Sequence, residues 1–318
     1  MSDLIDIETK IKKNIPLAPL TTFNIGGSAE LFVEVGSKDE LVDAINLAQN
    51  KDLGITILGG GSNVLVADTG IKGLVIKINN KTLVLKGDRI EVGAGSKLID
   101  TARLANNNGY TGLEWASGIP GSAGGAIRGN AGAHGYYIAD VIETIECFDK
   151  IKNIFKILSK KDCEFSYKDS YIKQNKSLVI WSAYLKLTRG NLVEIRNKVD
   201  SYIKIRESSQ PRLASAGCVF KNLSFDDIQA TSDKLAKYII KNNPPKNGKI
   251  GAGWLIDLIG LKGKRVGDVK VSLEHGNFIV NTGHGKASDV IDLIKFIKKR
   301  MYDQFGIELE EEIQYLGF

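Results

Sequence analysis

The chain has 318 residues, 43% of them apolar and 25% charged, and 43 basic against 37 acidic side chains leave a net charge of +6. These are globular proportions with room for two or three domains, and no run reaches the roughly 18 consecutive apolar residues that a membrane span requires. The lysines are interspersed with Asp and Glu, so the excess suits an acidic small molecule; the concentrated basic run of a nucleic-acid binder is missing.

The first residues, MSDLIDIETKIKKNI, carry early acids and no apolar core, so they do not read as a signal peptide; Ile5 to Lys13 is a polar helix candidate. Strand character begins at Leu31 to Val35. Ser37 to Glu40 is a capping box, and Leu41, Val42, Ala44, Ile45 and Ala48 follow at helical spacing, which predicts a helix over 37–50. Ile55 to Leu58 is a short β run that feeds Gly59, Gly60, Gly61, Ser62 and Asn63 before Val64 to Val66 resumes. A strand entering glycines and small polar residues can aim successive main-chain N–H groups at a phosphate, although a plain glycine-rich turn has the same composition. No GxxxxGK[ST] occurs, which excludes a Walker-type nucleoside triphosphatase.

Gly73 to Ile78 and Thr82 to Val92 read as strands, the second turning near Gly87, and Ser96 is placed to cap a helix that Gly109 stops. Gly112 to Gly135 then holds eight glycines and five alanines in 24 residues, with Glu114 and Arg128 as its only charges. Such clearing of side chains fits close approach of backbone to a ligand, or else a tightly packed buried turn. Val141 to Phe148, Ile154 to Leu158 and Leu178 to Leu187 are further β runs. Beyond Gly190 the texture changes to helices over Leu192 to Glu207, Asp226 to Lys241 and Asp289 to Phe305, the last with an apolar stripe, and a strand-like tail over Gly306 to Phe318. Cys147, Cys163 and Cys218 lack CxxC spacing and are odd in number, which reads as reduced thiols in a cytoplasmic protein without a metal site.

Seven segments in order, LAPLTTFNIGG, LGGGSNVL, GIPGSAGGAIRGNAGA, FSYKDS, SAGCVFKN, the stretch Trp254 to Asn281 and GIELEEEI, resemble the UDP-N-acetylenolpyruvoylglucosamine reductases, in the shorter form of that family. The resemblance implies an α+β chain: an FAD-binding fold of the vanillyl-alcohol oxidase and para-cresol methylhydroxylase type, with a smaller α/β substrate-binding domain. Residues 1–190 would bind FAD in two lobes meeting near residue 80, residues 191–305 would bind substrate, and residues 306–318 would return as a strand to the active site. Gly59, Gly60, Gly61, Ser62 and Asn63 would hold the FAD pyrophosphate. Gly118, Ile119, Pro120, Gly121, Ser122, Gly124 and Gly125 would line the flavin and its chain, and Thr22 and Asn24 would lie near the cofactor. No His or Cys falls where a covalent flavin link is expected, so FAD would be dissociable.

The implied reaction uses NADPH as hydride donor and a nucleotide sugar as substrate, in a cytoplasmic monomer with no nucleic-acid or membrane partner. Hydride reaches C3 of the enolpyruvyl group and an acid protonates C2, while a positive group steadies charge on the adjoining carboxylate. The acid falls on Cys218, where the family usually has serine; a thiol, with a reference pKa of about 8.5, is the better proton donor. The positive group falls on Lys168, where the family has arginine, and lysine cannot offer the guanidinium fork. Glu312 matches the glutamate of the closing motif. Substrate contacts would come from Tyr167, Arg206, Gln210, Lys221, Asn222, Lys262, His275 and Asn281. A different flavin-dependent oxidation on the same fold, or nucleotide-sugar binding without catalysis, are the alternative readings.

Overall fold

The computed structural model describes residues 7–318, which form two compact units. The first comprises the described residues up to Ile15, Ala29–Gly60 and Ile71–Arg206; the second comprises Pro16–Ser28, Gly61–Gly70 and Glu207–Phe318. Ile5 and Asp6 of the expected first helix lie outside the described residues. The remainder is a short helix Ile7–Lys10, after which the chain is already extended over Lys12–Pro16.

The first unit carries two large sheets. In one, Ser28–Val35, Ile71–Ile78 and Ile55–Leu58 run parallel, with Lys12–Pro16 at the edge. Parallel strands need a crossover, and the helix Lys38–Asn50 supplies it between Ser28–Val35 and Ile55–Leu58, which flank Ile71–Ile78 on either side. That helix starts where the sequence predicts: the Ser37 hydroxyl accepts from the Glu40 N–H, the Glu40 carboxylate answers the Ser37 N–H, and Leu41, Ala44, Ile45 and Ala48 are buried. The other sheet is antiparallel, in the order Ile154–Ser159, Ile142–Asp149, Leu178–Lys186, Arg89–Gly93, Leu83–Lys86. The chain passes from one sheet to the other over residues 79–82, and one apolar core runs through both.

Ser96 does not cap the helix after it. That helix runs Leu98–Asn107 from Lys97, while the Ser96 hydroxyl donates to the Thr82 carbonyl at 2.8 Å, a tertiary partner that short-range pattern cannot reveal. Gly109 does end the turn beyond it, at φ +74°.

The second unit is built on an antiparallel sheet, Ser215–Cys218, Phe278–Asn281, Val269–Val271 and Arg265–Val266, with the helix Ala287–Phe305 against it. Val290, Leu293, Ile294, Ile297 and Met301 are that helix's buried stripe. The helical pattern over 226–241 is realised as two pieces, Phe225–Thr231 and Asp233–Asn242, because Ser232 breaks it and caps the second through the Leu235 N–H. Of the tail, only Gln314–Leu316 is a strand, parallel to Val64–Val66.

The compact units divide the chain elsewhere than at the expected breaks near 190 and 305. Phe23, Ile25 and Leu65 are buried in the same core as Val290 and Met301, so two early segments belong with the C-terminal sheet. The helix Leu192–Ser209 belongs to the first unit as far as Arg206. Asp68 fastens one early segment further, its carboxylate accepting from the N–H groups of Ala287 and Ser288 at the start of the long helix.

Candidate functional site

In the first unit the two glycine-rich loops meet backbone to backbone. A Cβ added to Gly60 would lie 2.6 Å from the Ser122 nitrogen and 2.7 Å from the Gly121 Cα, so only glycine permits the approach. Ser122 organises the junction: its hydroxyl accepts from the Gly60 N–H (3.1 Å) and from the Gly125 N–H (3.3 Å), capping the short helix Ala123–Arg128. One N–H expected to face a phosphate, that of Gly60, is therefore used to join the loops. Gly124 sits against Ala94, while Gly118, Pro120 and Gly125 stay exposed and Ile119 is half-buried. Glu114 is buried with its carboxylate engaged by the Thr111 hydroxyl and, at 2.7 Å, the Gly112 N–H. The loops thus present main-chain polar groups with their one carboxylate already bonded, a surface that fits an anionic, extended dinucleotide such as FAD.

Lys168 is placed by the same glycine-rich segment. Ser166 and Asp169 exchange backbone hydrogen bonds of 3.1 and 3.3 Å, leaving Tyr167 and Lys168 half-buried at a two-residue tip where Lys168 takes φ +59°. Asn130 Nδ2 donates to the Ser166 carbonyl (2.7 Å), and the Ser170 hydroxyl donates to the Arg128 carbonyl (2.7 Å). Arg206 belongs to the same unit; a Cβ on Gly118 would lie 3.4 Å from its Cδ. His134 stacks on Tyr202 with centroids 4.4 Å apart, and burial followed by the charge of Arg206 pushes its pKa below the ordinary value.

In the second unit Cys218 ends the strand Ser215–Cys218, half-buried, opposite Phe278. A Cβ on the preceding Gly217 would meet nothing within 4 Å, so there is open space beside the thiol's strand. The residues following Cys218 are pinned on both sides. Val219 N–H donates to the Asn277 carbonyl (2.8 Å) and Phe220 N–H to the Asn277 Oδ1 (2.9 Å); Glu312 N–H donates to the Val219 carbonyl (2.7 Å) and Lys221 N–H to the Glu310 carbonyl (2.9 Å). Glu312 is further fixed from Asn63, whose amide donates to the Glu312 carbonyl (3.2 Å) while its own carbonyl accepts from Gln314. Cys218 and Glu312 therefore stand on adjoining extended segments.

The remaining expected residues are placed as follows. The Lys221 ammonium pairs with Glu310 and that of Lys262 with Asp257 (2.8 Å). Asn222 is exposed and accepts from the Ala252 N–H (3.2 Å), and Gln210 is half-buried at the opening of the unit's main segment. His275 Nδ1 accepts from the Asn277 N–H (3.1 Å); burial, then the charge of Lys262, lowers its pKa and favours the neutral ring this bond needs. Thr22 donates its hydroxyl to the Ser215 carbonyl (2.7 Å) and its N–H to Gly61. Buried Asn281 donates to the carbonyls of Phe23 and Asn24 and accepts from Gly283 and Gly285, so it holds loops together, Asn24 at φ +53° among them. Ser62, half-buried, follows Gly61 in the same turn. Sequence reasoning missed Asn277 and Asn130, whose bonds to the segments of Cys218 and Lys168 span distant parts of the chain, and Lys173, which bonds the Lys168 carbonyl from five residues on; nothing in their local spacing marks them. No group of three or more His, Cys, Asp or Glu able to hold a metal occurs among the described residues.

Residues 29–151 match the FAD binding domain family, and with the glycine surface above they define an FAD-containing oxidoreductase of α+β fold. Residues 210–316 match the family described as UDP-N-acetylenolpyruvoylglucosamine reductase, C-terminal domain. The UDP-N-acetylenolpyruvoylglucosamine reductase of Solibacter usitatus is 35% identical over 308 residues, covering 96% of this chain and 97% of its own. That of Caldanaerobacter subterraneus subsp. tengcongensis is 38% identical over 312 residues, 98% of this chain and 95% of its own. The crystal structure of the UDP-N-acetylenolpyruvylglucosamine reductase from Thermus caldophilus matches with a TM-score of 0.77 at 32% identity, over 96% of this chain and 99% of that one. The chain belongs to the UDP-N-acetylenolpyruvoylglucosamine reductase family.

Proposed function

We propose that this chain reduces the enolpyruvyl group of UDP-N-acetylenolpyruvoylglucosamine with NADPH to give UDP-N-acetylmuramate, a step in peptidoglycan precursor synthesis. Gly59, Gly60 and the segment Gly118 to Gly125, together with Thr22, Asn24, Gly61, Ser62 and Asn63, would hold FAD without a covalent link. The chemistry that cofactor supplies when bound is hydride transfer from NADPH to C3 of the substrate.

The chain's own residues do the rest. As hydride arrives at C3, negative charge spreads over C2 and the neighbouring carboxylate, and Lys168 offsets it with a positive charge. The Cys218 thiol gives its proton to C2, which balances the two-electron reduction of the double bond. Glu312 hydrogen-bonds the substrate carboxylate while that charge develops. Tyr167, Arg206, Gln210, Lys221, Asn222, Lys262 and His275 orient the nucleotide sugar; Asn281 supports this site from its buried position between loops. In this reading the enzyme is a cytoplasmic monomer without nucleic-acid or membrane partners. Its three cysteines form no disulfide among the described residues, which fits a reducing compartment, and no helix among the described residues is long and apolar enough to cross a membrane.

The observation that supports this chemistry most directly is the pairing of the Glu312 N–H with the carbonyl just after Cys218, which sets the two acid groups on neighbouring segments. Anaerobic half-reactions test it. Purified holoprotein should lose its oxidised flavin spectrum with NADPH and regain it with enolpyruvyl UDP-N-acetylglucosamine. Bleaching without reoxidation by that substrate would indicate a different electron acceptor, and protein that takes up no FAD would refute the reading altogether.

A further inference from the structure

The backbone carrying Lys168 is held in a conformation its side chain disfavours. With Ser166 and Asp169 closing the turn and only the second central residue at positive φ, the tip has the type II pattern, whose third position favours glycine. A lysine there, at φ +59°, keeps its Cβ close to a neighbouring carbonyl and relaxes unless the turn around it is held. Lys173 does so. Its Nζ donates to the Lys168 carbonyl at 2.7 Å, a charge-assisted bond that pins the peptide on the C-terminal side of Lys168, so that the strained residue is held between this bond and the Ser166–Asp169 pair.

Lys173 is itself anchored. Arg128 Nη2 donates to its carbonyl (3.3 Å), and its N–H donates to the hydroxyl of Ser170 (3.1 Å), which in turn donates to the Arg128 carbonyl (2.7 Å). The Lys168 tip is thereby tied to the last turn of the helix Ala123–Arg128, whose first turn Ser122 joins to Gly60. We propose that Lys173 is a positioning residue for Lys168: by bonding the Lys168 carbonyl it locks the left-handed tip and aims the Lys168 ammonium where charge develops on the substrate. The proposal rests on the role given to Lys168 above.

A double-mutant cycle on the holoenzyme tests it, with each half-reaction followed separately under anaerobic conditions. Lys173→Met should slow reoxidation by enolpyruvyl UDP-N-acetylglucosamine about tenfold or more, the loss expected for one charged hydrogen bond, with little effect on flavin reduction by NADPH. Lys173→Arg should restore most of the rate. Because Lys173 acts through Lys168, the double variant Lys168→Ala/Lys173→Met should be no slower than Lys168→Ala within about twofold. Hydrogen exchange should report the same lock without turnover: amides of residues 166–173 exchange faster in Lys173→Met, and those of the two sheets do not. Additive losses in the cycle would overturn the proposal by showing that Lys173 acts on its own. Equal slowing of both half-reactions, an unchanged reoxidation rate, or unchanged exchange over 166–173 would overturn it too. Failure of the underlying reading is separable, because wild-type enzyme would then fail to reoxidise with this substrate before any variant is made.

Discussion

Glu312 donates its backbone N–H to the carbonyl of Val219 at 2.7 Å, so the residue after Cys218 and the residue proposed to bind the substrate carboxylate share one hydrogen bond. The two lie far apart in sequence. Their meeting depends on the tail crossing Val219 to Lys221 before it pairs with Val64–Val66.

If the thiol is the proton donor, Cys218→Ala leaves flavin reduction by NADPH near the wild-type rate and slows reoxidation by substrate about a hundredfold, the usual scale of general acid catalysis. Cys218→Ser should recover part of that loss, since a hydroxyl can also donate. Rapid-mixing absorbance of the two half-reactions decides the matter; equal loss in both removes Cys218 from the proton step.

Lys168→Arg should retain or raise the reoxidation rate, since guanidinium keeps the charge and adds a second donor toward a carboxylate. Lys168→Ala should lower it by about a hundredfold, as for loss of one preorganised charge at a developing anion. Steady-state kcat together with the single-turnover rate reads both. A collapse in the arginine variant would mean that the site is shaped around lysine.

Gly60→Ala puts a methyl 2.6 Å from the Ser122 nitrogen, against backbone that cannot swing aside. The glycine loops must part, which costs about 1–3 kcal/mol of stability by the usual scale for overpacking. The variant should purify with less bound FAD, measured as the ratio of flavin to protein absorbance. Full flavin occupancy with unchanged melting would contradict the contact.

Asp68→Ala should cost about 1 kcal/mol, the typical worth of a helix cap, because its carboxylate binds the first N–H groups of the helix Ala287–Phe305. Burial raises this carboxyl's pKa, but the bonds from Ser288 and Ala287, with Lys286 nearby, outweigh that and hold it below its ordinary value. A lowered folded pKa means the contribution is whole above about pH 4 and fades as the pH falls through the folded value. Urea midpoints of both proteins should therefore differ at pH 7 and converge in acid.

His275 shows the same sign for another reason. Burial, then Lys262, keeps its ring neutral, and its Nδ1 must be unprotonated to accept from Asn277. Its contribution is whole above about pH 6.5 and is lost as the pH drops through the lowered folded value. An NMR titration of the imidazole should give a midpoint below that of a free histidine; one at or above it would remove the bond.

Local pattern was enough for the elements whose cause is local. The Ser37 capping box, the glycine turn of the hairpin Leu83–Gly93 and the stripe Val290 to Met301 are all set by residues within a few positions of one another. The glycine loops were legible for the same reason: absence of side chains is visible in a sequence even when the partner loop is not. Ser96 was misjudged by proximity, since its partner, Thr82, is held against it by tertiary packing, and the partners of Asn281, Phe23 and Asn24, likewise come from another part of the chain.

The sequence by itself determined which residue types are available to the chemistry: a thiol at 218, a lysine at 168, and two loops stripped to main chain. Only the tertiary structure decided how they are held. It placed Phe23, Ile25 and Leu65 in the C-terminal core, joined Gly60 to Ser122, and set Glu312 beside the strand of Cys218. Those outcomes follow from burying apolar side chains and pairing buried polar groups across long stretches of chain, which no window of neighbouring residues contains.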